Sequence, residues 1–233
     1  MLNFDRFQVL TFDCYGTLID WETGILSALR PILGAHRQTA SDAEILELYS
    51  NLEFDSERGE YQPYRRVLRS VVAGFGNHFG FIASEAERDS LPNSLARWNP
   101  FPDTVRSLHR LKSKYQLAVV SNVDDELFAS TAPKLEVHFD HVITAQQARC
   151  YKPGRAIFQM ALERIGVYPD KVLHVGQSIY HDVIPAQALG IANVWVNRPS
   201  TRPNAGAARR ANGTPDLEVP NLSTLVDQAL NSV

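Results

Sequence analysis

Two cysteines, Cys14 and Cys150, in 233 residues are too few for a disulfide framework. A reducing compartment fits, although the two could still pair. No apolar run approaches the roughly 18 to 20 residues of a membrane-spanning helix. Basic charge is not in excess: 23 Lys and Arg stand against 26 Asp and Glu, a formal net charge of −3. The sequence therefore carries no electrostatic footprint for nucleic acid or a membrane surface. Gly and Pro, 13 each, are too scarce for a collagen-like or low-complexity chain. Residues Met1 to Arg6 lack the basic and apolar regions of a secretion signal. These absences point to a soluble, cytoplasmic protein with neither nucleic acid nor membrane as partner, and no internal repeat is visible. What is present is ordinary for a globular chain, 44% apolar and 21% charged residues. That composition excludes disorder as the dominant state, and the length allows one or two domains.

Short apolar runs recur along the chain. Phe7 to Phe12, Leu117 to Val120, His141 to Thr144, Val172 to Val175 and Asn193 to Val196 are each four to six residues bounded by turn residues. Runs of this kind suit strands buried on both faces of a parallel sheet. Helical patterns lie between them, over Asp103 to Ser113, Asp124 to Ala132, Arg155 to Ile165 and Asp182 to Leu189. In the third, Ile157, Phe158, Ala161, Leu162 and Ile165 form an amphipathic stripe. Alternating strands and helices give a doubly wound α/β sheet of Rossmann-like kind. Residues 21–98 break the alternation with four helical patterns and no strand run, the second opening on Ser41 and Glu44 as a capping box. This predicts a helical cap over 21–98, inserted into a core of 1–20 and 99–233, with Asn99 to Pro102 as a stiff return linker. Pro199 to Pro215 reads as a mobile surface loop.

In an open α/β sheet, ligands bind beyond the carboxyl ends of the strands. Asp13-Cys14-Tyr15-Gly16-Thr17 follows the first strand and Ser121-Asn122 the second. Tyr151-Lys152-Pro153 comes after the third, and Gly176-Gln177-Ser178 through His181-Asp182 after the fourth. One strand-ending Asp is more often a helix cap than a nucleophile. Four polar strand ends converging on one crevice are not explained by independent caps. A carboxylate at Asp13 can act as a covalent nucleophile, with backbone N–H groups of the turn holding an anion and Gly16 permitting the turn. Lys152 lowers the carboxylate pKa values near it. Ser121 and Asn122 offer donors to a substrate carboxylate or leaving group. Asp182 orients Lys152 or a water, or binds a metal. His181 is read either as a base or as a capping residue, and Cys14 as a small apolar side chain turned into the sheet. Trp21, Tyr49, Phe54 and Tyr61 are candidates to line a cap pocket.

These residues carry a resemblance. Phe12 to Leu18, Ser121-Asn122, Lys152-Pro153 and Gly176 to Asp182 resemble, in order and spacing, the four motifs of the haloacid dehalogenase superfamily. Val194 to Arg198 and Thr214-Pro215-Asp216 are similar to it as well. Phosphatases of that superfamily carry a second Asp two residues after the nucleophile and an acidic residue opening the fourth motif. Here those positions are Tyr15 and Gln177. Both losses suit the (S)-2-haloacid dehalogenase branch, because halide leaves without a proton and no metal is needed. The resemblance thus implies metal-independent hydrolysis of short 2-haloalkanoic acids to 2-hydroxy acids, through an ester to Asp13. A small-molecule carboxylate is the implied partner, together with a possible homodimer. Asp13, Lys152, Asp182 and Ser178 are implied as catalytic, and Cys14, Tyr15, Thr17, Ser121 and Asn122 as substrate-binding. No cofactor is implied; the alternative is a Mg²⁺-dependent phosphatase of a small phosphorylated metabolite. The branch usually places a halide-binding Arg at the start of the second cap helix, where Ser50 aligns here, leaving Arg58, Arg65 and Arg66 as its possible replacements. A Tyr following the third motif is Phe158.

Overall fold

Six strands make one parallel sheet in the order β3-β2-β1-β4-β5-β6. They are β1 (Val9–Phe12), β2 (Gln116–Ser121), β3 (His141–Thr144), β4 (Val172–Gly176), β5 (Ala192–Val196) and β6 (Leu217–Val219). This computed structural model describes residues 2–199, 206–209 and 211–231. In register, Leu10 of β1 faces Leu117 of β2 on one side and Leu173 of β4 on the other. The continuous apolar runs arise because β1 and β4 are buried along their whole length. After β1 the chain builds outward to β2 and β3, then returns to β4 on the opposite side. The crevice between β1 and β4 is therefore the topological switch point, where ligands of such sheets bind.

Ten helices surround or cap the sheet among the described residues. Four lie between β1 and β2: α1 (Trp21–Ala35), α2 (Asp42–Glu57), α3 (Tyr64–Phe79) and α4 (Glu85–Ser94). They pack on one another in sequence, and α1 also packs on α4. The capping box at Ser41 forms: Ser41 N–H donates to Glu44 Oε2 (2.8 Å) and Glu44 N–H to Ser41 Oγ (3.3 Å). The two crossings into this helical unit run side by side. Asp20 N–H donates to Asn99 O (2.9 Å), and Phe101 N–H donates to Leu18 O (3.0 Å). The others are α5 (Thr104–Lys112), α6 (Asp125–Thr131), α7 (Ala145–Ala148), α8 (Arg155–Ile165), α9 (Ile184–Gln187) and α10 (Leu222–Asn231). Among the described residues no helix is long and apolar enough to cross a membrane.

Three elements differ from the sequence expectation. The helix expected over Asp182 to Leu189 begins earlier, as a π turn over Ile179–Val183 that leads into α9. Such turns concentrate at functional sites, and this one carries Asp182. Strand β6 and helix α10 had not been anticipated. The first is three residues long; the second buries Leu222, Leu225, Val226 and Ala229 on one stripe. The surface loop expected over Pro199 to Pro215 lies partly outside the described residues. Its described portion at 206–209 is not free in solvent. Ala207 N–H donates to Glu22 Oε1 of α1 (3.0 Å), and the Arg209 guanidinium lies 3.5 Å from the Phe54 ring centroid on α2.

Candidate active site

The functional side chains come from strand ends and from the segments that follow them: Lys152 from the loop between α7 and α8, Asp182 from the π turn after β4. Asp13 follows β1, Ser121 ends β2, and Gly176 ends β4 one residue before Gln177. Gly16 turns the chain back after Asp13 with φ +98°, a left-handed conformation that other residues rarely adopt. Asp13 Oδ2 accepts from the Thr17 hydroxyl (2.7 Å), and Thr17 Oγ1 in turn accepts Gln177 N–H (2.9 Å). The first and fourth motifs are thereby tied through one threonine.

Lys152 is the centre of charge. Its ammonium is 2.8 Å from Asp13 Oδ1 and 2.7 Å from Asp182 Oδ1, and the side chain is about 1% exposed. Asn122 clamps the Lys152 backbone at both ends, accepting its N–H at 2.7 Å and donating an amide N–H to its carbonyl at 3.1 Å. Asp182 also accepts Ser178 N–H on Oδ2 (3.0 Å), and its Oδ1 lies 3.2 Å from His174 Nε2. His174 stands inside β4 against Thr11 Oγ1 (2.8 Å), with the Phe158 ring edge-on to it. Burial pushes the Asp182 pKa up, but Lys152 and then His174 pull it well below the usual carboxylate range. At Asp13, burial prevails over the pull of Lys152, Asp182 adds repulsion, and the pKa is raised. Burial disfavours the Lys152 ammonium, yet Asp13 and Asp182 more than offset it and its pKa rises. The triad accordingly favours a charged lysine between two carboxylates.

Gly176 leaves room for this arrangement. A Cβ there would stand 2.4 Å from Asp182 Cγ. Gly176→Ala is expected to push Asp182 off Lys152 and to cost about 10²-fold in kcat, as a displacement near 1 Å does. The far-UV circular dichroism should stay unchanged; full activity in the alanine variant would show that this contact is not needed.

A cavity of about 50 Å³ opens on the triad. It is lined by Asp13, Tyr15, Ser121, Asn122, Lys152, Ser178 and Asp182, seven of the nine expected site residues, together with Gln177 and His181. Thr17 and Cys14 do not line it. Thr17 acts on Asp13 from behind. The Cys14 side chain is fully buried in the core, and burial pushes its thiol pKa well above the ordinary value. The Tyr15 hydroxyl is engaged with Thr131 Oγ1 (2.9 Å), so this residue contributes its ring. Ser121 Oγ is buried and has no hydrogen-bond partner among the described residues. His181 Nδ1 lies 3.3 Å from Ser178 Oγ, and burial lowers the imidazole pKa to about 4, which keeps it neutral above that pH.

The cap wall contains what the sequence reading missed. Glu53 and Glu57 of α2 line the cavity beside Trp21 and Tyr64. Glu53 Oε1 accepts from the hydroxyls of Tyr49 (2.8 Å) and Tyr64. Burial raises the pKa of both glutamates, and Glu53 raises that of Glu57 further. Glu57 also lines a second cavity of about 260 Å³, with Phe54, Tyr61, Tyr151 and Tyr180 on its walls. Of the aromatics named from sequence, Trp21 faces the inner cavity and Phe54 and Tyr61 the outer one, while Tyr49 packs behind Glu53. The one available signal was the four-residue spacing of Tyr49, Glu53 and Glu57, which places all three on one helix face. Among the described residues no arginine lines the inner cavity, and Arg209, next to the lining residue Ala208, lies over the Phe54 and Tyr180 rings. Arg58 borders the outer cavity over the Phe54 ring, and Arg65 donates to Asn93 Oδ1 (2.8 Å) and pairs with Glu126 (3.7 Å). Neither these two nor Arg66 lines the inner cavity.

The donor set does not fit a magnesium ion. Asp13 and Asp182 direct their Oδ1 atoms onto one ammonium, and the neighbouring positions hold Tyr15 and the uncharged Gln177. A hard divalent cation takes carboxylate oxygens, and here both Oδ1 atoms accept from Lys152, Asp13 Oδ2 from Thr17 and Asp182 Oδ2 from the Ser178 N–H. Among the described residues no cluster of three or more His, Cys, Asp or Glu is arranged to hold a metal.

Comparison with known proteins shows the family and the fold. Residues 7–190 match the family model of haloacid dehalogenase-like hydrolases. The chain is 27% identical over 205 residues to (S)-2-haloacid dehalogenase 4A of Burkholderia cepacia, covering 85% of this chain and 87% of the relative. It is 25% identical over 227 residues to haloacetate dehalogenase H-2 of Moraxella sp. (strain B), covering 95% and 97%. Its fold is shared with an L-2-haloacid dehalogenase from Xanthobacter autotrophicus solved with chloropropionic acid covalently bound. That match has a TM-score of 0.81 at 21% identity and covers 97% of this chain and all of that one.

Proposed function

The chain belongs to the haloacid dehalogenase-like hydrolase family, and within it we propose metal-independent hydrolysis of the carbon–halogen bond of a short 2-halogenated acyl compound. The 2-haloalkanoic acids are the parent members of that substrate class. The observation that carries this reading is Asp13, held between Thr17 and Lys152 at the mouth of a cavity whose donors do not fit a metal. The dehalogenase relatives support it.

In the first step an Asp13 oxygen attacks C2. The new C–O bond forms as the carbon–halogen bond breaks, and halide leaves with the electron pair. Halide needs no proton, so the lack of an acid at Tyr15 is no obstacle. In the second step water attacks the Asp13 ester carbonyl. Lys152 lies at hydrogen-bond distance to stabilise charge building on that oxygen, and His181, which lines the same cavity, is our candidate to take the proton from water. The 2-hydroxy product leaves as Asp13 regains a carboxylate that contains one water oxygen. A cavity of about 50 Å³ has room for roughly three or four waters, which suits a reacting unit of two or three carbons.

Phosphoryl transfer is the weaker reading, because the Tyr15 hydroxyl is engaged with Thr131 and leaves no acid at that position for an alkoxide. The test is halide release from 2-chloropropionate and chloroacetamide with and without EDTA, beside a phosphatase screen. Halide release is expected and should be unchanged by chelator. Activity removed by EDTA and restored by Mg²⁺ would refute the reading.

A further inference from the structure

Taking carbon–halogen hydrolysis at Asp13 as the reaction, we propose that Glu57 of the cap recognises the carboxylate of a 2-haloacid substrate as a hydrogen-bond donor, a carboxyl O–H working together with the Ser121 hydroxyl. Ser121 Oγ lines the inner cavity, belongs to a residue about 1% exposed, and has no partner among the described residues. A substrate carboxylate supplies the acceptor it lacks. One hydroxyl leaves the second carboxylate oxygen without a donor, and among the described residues no arginine lines this cavity to serve it. Glu57 lines the same cavity and borders the outer one as well.

The neighbours of Glu57 place the proton on it. Glu53, one turn earlier on α2, accepts from the hydroxyls of Tyr49 (2.8 Å) and Tyr64. Two phenol donors favour the ionised form of Glu53. Glu57 receives no hydrogen bond from a described residue, so a proton shared by the pair resides there. Burial, and then Glu53, push the Glu57 carboxyl well above its ordinary value against the pull of Lys152. The other groups around it do not reverse this. Lys152 already bridges Asp13 and Asp182, and His181 is neutral above about pH 4. Arg58 and Arg149 lie over the Phe54 and Tyr61 rings at the outer cavity, whose walls also hold Cys150 and Tyr180. Arg209 lies over Phe54 and Tyr180. Burial keeps the phenols of Tyr15, Tyr61, Tyr64 and Tyr151 protonated. A carboxyl group held neutral in this way donates to a carboxylate through a short O–H···O bond, one of the stronger kinds. It also adds no negative charge to a cavity that already holds Asp13 and Asp182.

Glycolate, the hydroxy product of the smallest haloacid, reads the contact without turnover and stays a carboxylate above about pH 5. Its binding is followed by tryptophan fluorescence, with Trp21 on the cavity wall. Between about pH 5 and about pH 10 its affinity should fall about tenfold per pH unit once Glu57 loses its proton. Glu57→Gln, whose amide donates at every pH, should remove that fall and keep the low-pH affinity within about threefold. Glu57→Ala should weaken glycolate at low pH by at least about tenfold. A pH-independent affinity in the unsubstituted protein overturns the assignment, and this result does not depend on a variant folding. A glutamine variant that keeps the alkaline fall, or an alanine variant that binds as tightly as the unsubstituted protein, overturns it equally. In turnover of chloroacetate the loss in Glu57→Ala should appear in KM rather than in kcat. Glycolate binding with the expected pH profile, but no halide released from any 2-haloacid, refutes the reaction at Asp13 and leaves the carboxylate contact standing.

Discussion

Replacing Lys152 with methionine is expected to lower kcat by at least about 10²–10³-fold and to move the acid limb of the pH–rate profile upward. Among the described residues Lys152 is the one cation touching both Asp13 and Asp182, at 2.8 and 2.7 Å. Without it, two buried carboxylates face each other across the cavity, and each raises the other's pKa. The sign follows directly. Asp13 attacks only when ionised; its pKa is raised by burial and held back chiefly by Lys152. Removing that restraint makes Asp13 ionise at higher pH, so the acid limb rises. Loss of one partner from a buried ion network also costs about 3–5 kcal/mol of stability. The profile should therefore be measured at a temperature where circular dichroism shows the variant folded. Lys152→Arg should recover activity only in part, since a planar guanidinium cannot occupy the point between two carboxylates that a compact ammonium fills. A methionine variant with near-normal kcat and an unmoved acid limb would show that the lysine is not part of the chemistry.

Asp13→Asn is expected to reduce turnover by at least about 10³-fold while the protein stays folded. The amide keeps the shape of the carboxylate and can still accept the Thr17 hydroxyl that now meets Oδ2. Lys152 retains Asp182 as its counterion. What is lost is the nucleophile, because an amide oxygen displaces halide poorly. Halide release and thermal unfolding measured on the same preparation separate the two effects. Loss of activity together with loss of the folded state would leave Asp13 as a structural residue. Substantial halide release from a folded Asp13→Asn protein would contradict the covalent route.

The parallel core was legible because its strands are buried on both faces and so appear as near-continuous apolar runs such as Val9–Phe12. The site's core half was legible for a related reason: strand ends in this topology point at one crevice, and Asp13, Ser121, Lys152 and Asp182 stand there. The cap half was not. Glu53 and Glu57 sit on a helix that also carries Asp55, which is exposed. Nothing local distinguishes a carboxylate facing a cavity from one facing solvent until the helix is docked. The same limit applies to His174, which reads as one polar residue in an apolar strand and proves to support Asp182 from inside the sheet. Asn122 shows a subtler gap. Its place at a strand end was evident, yet its clamp on both ends of the Lys152 backbone follows only from the folded loop.

The covalent ester at Asp13 is tested most directly by a single turnover in ¹⁸O-water, with enzyme in excess over 2-chloropropionate or chloroacetamide. Water attacks the Asp13 carbonyl in this account, so the label enters the Asp13 carboxylate in the first turnover and reaches product only in later ones. Mass spectrometry of the peptide containing Asp13 should show a gain of one ¹⁸O, with unlabelled hydroxy product. Labelled product from that first turnover, with Asp13 unlabelled, would mean that water attacks C2 directly and would contradict the account.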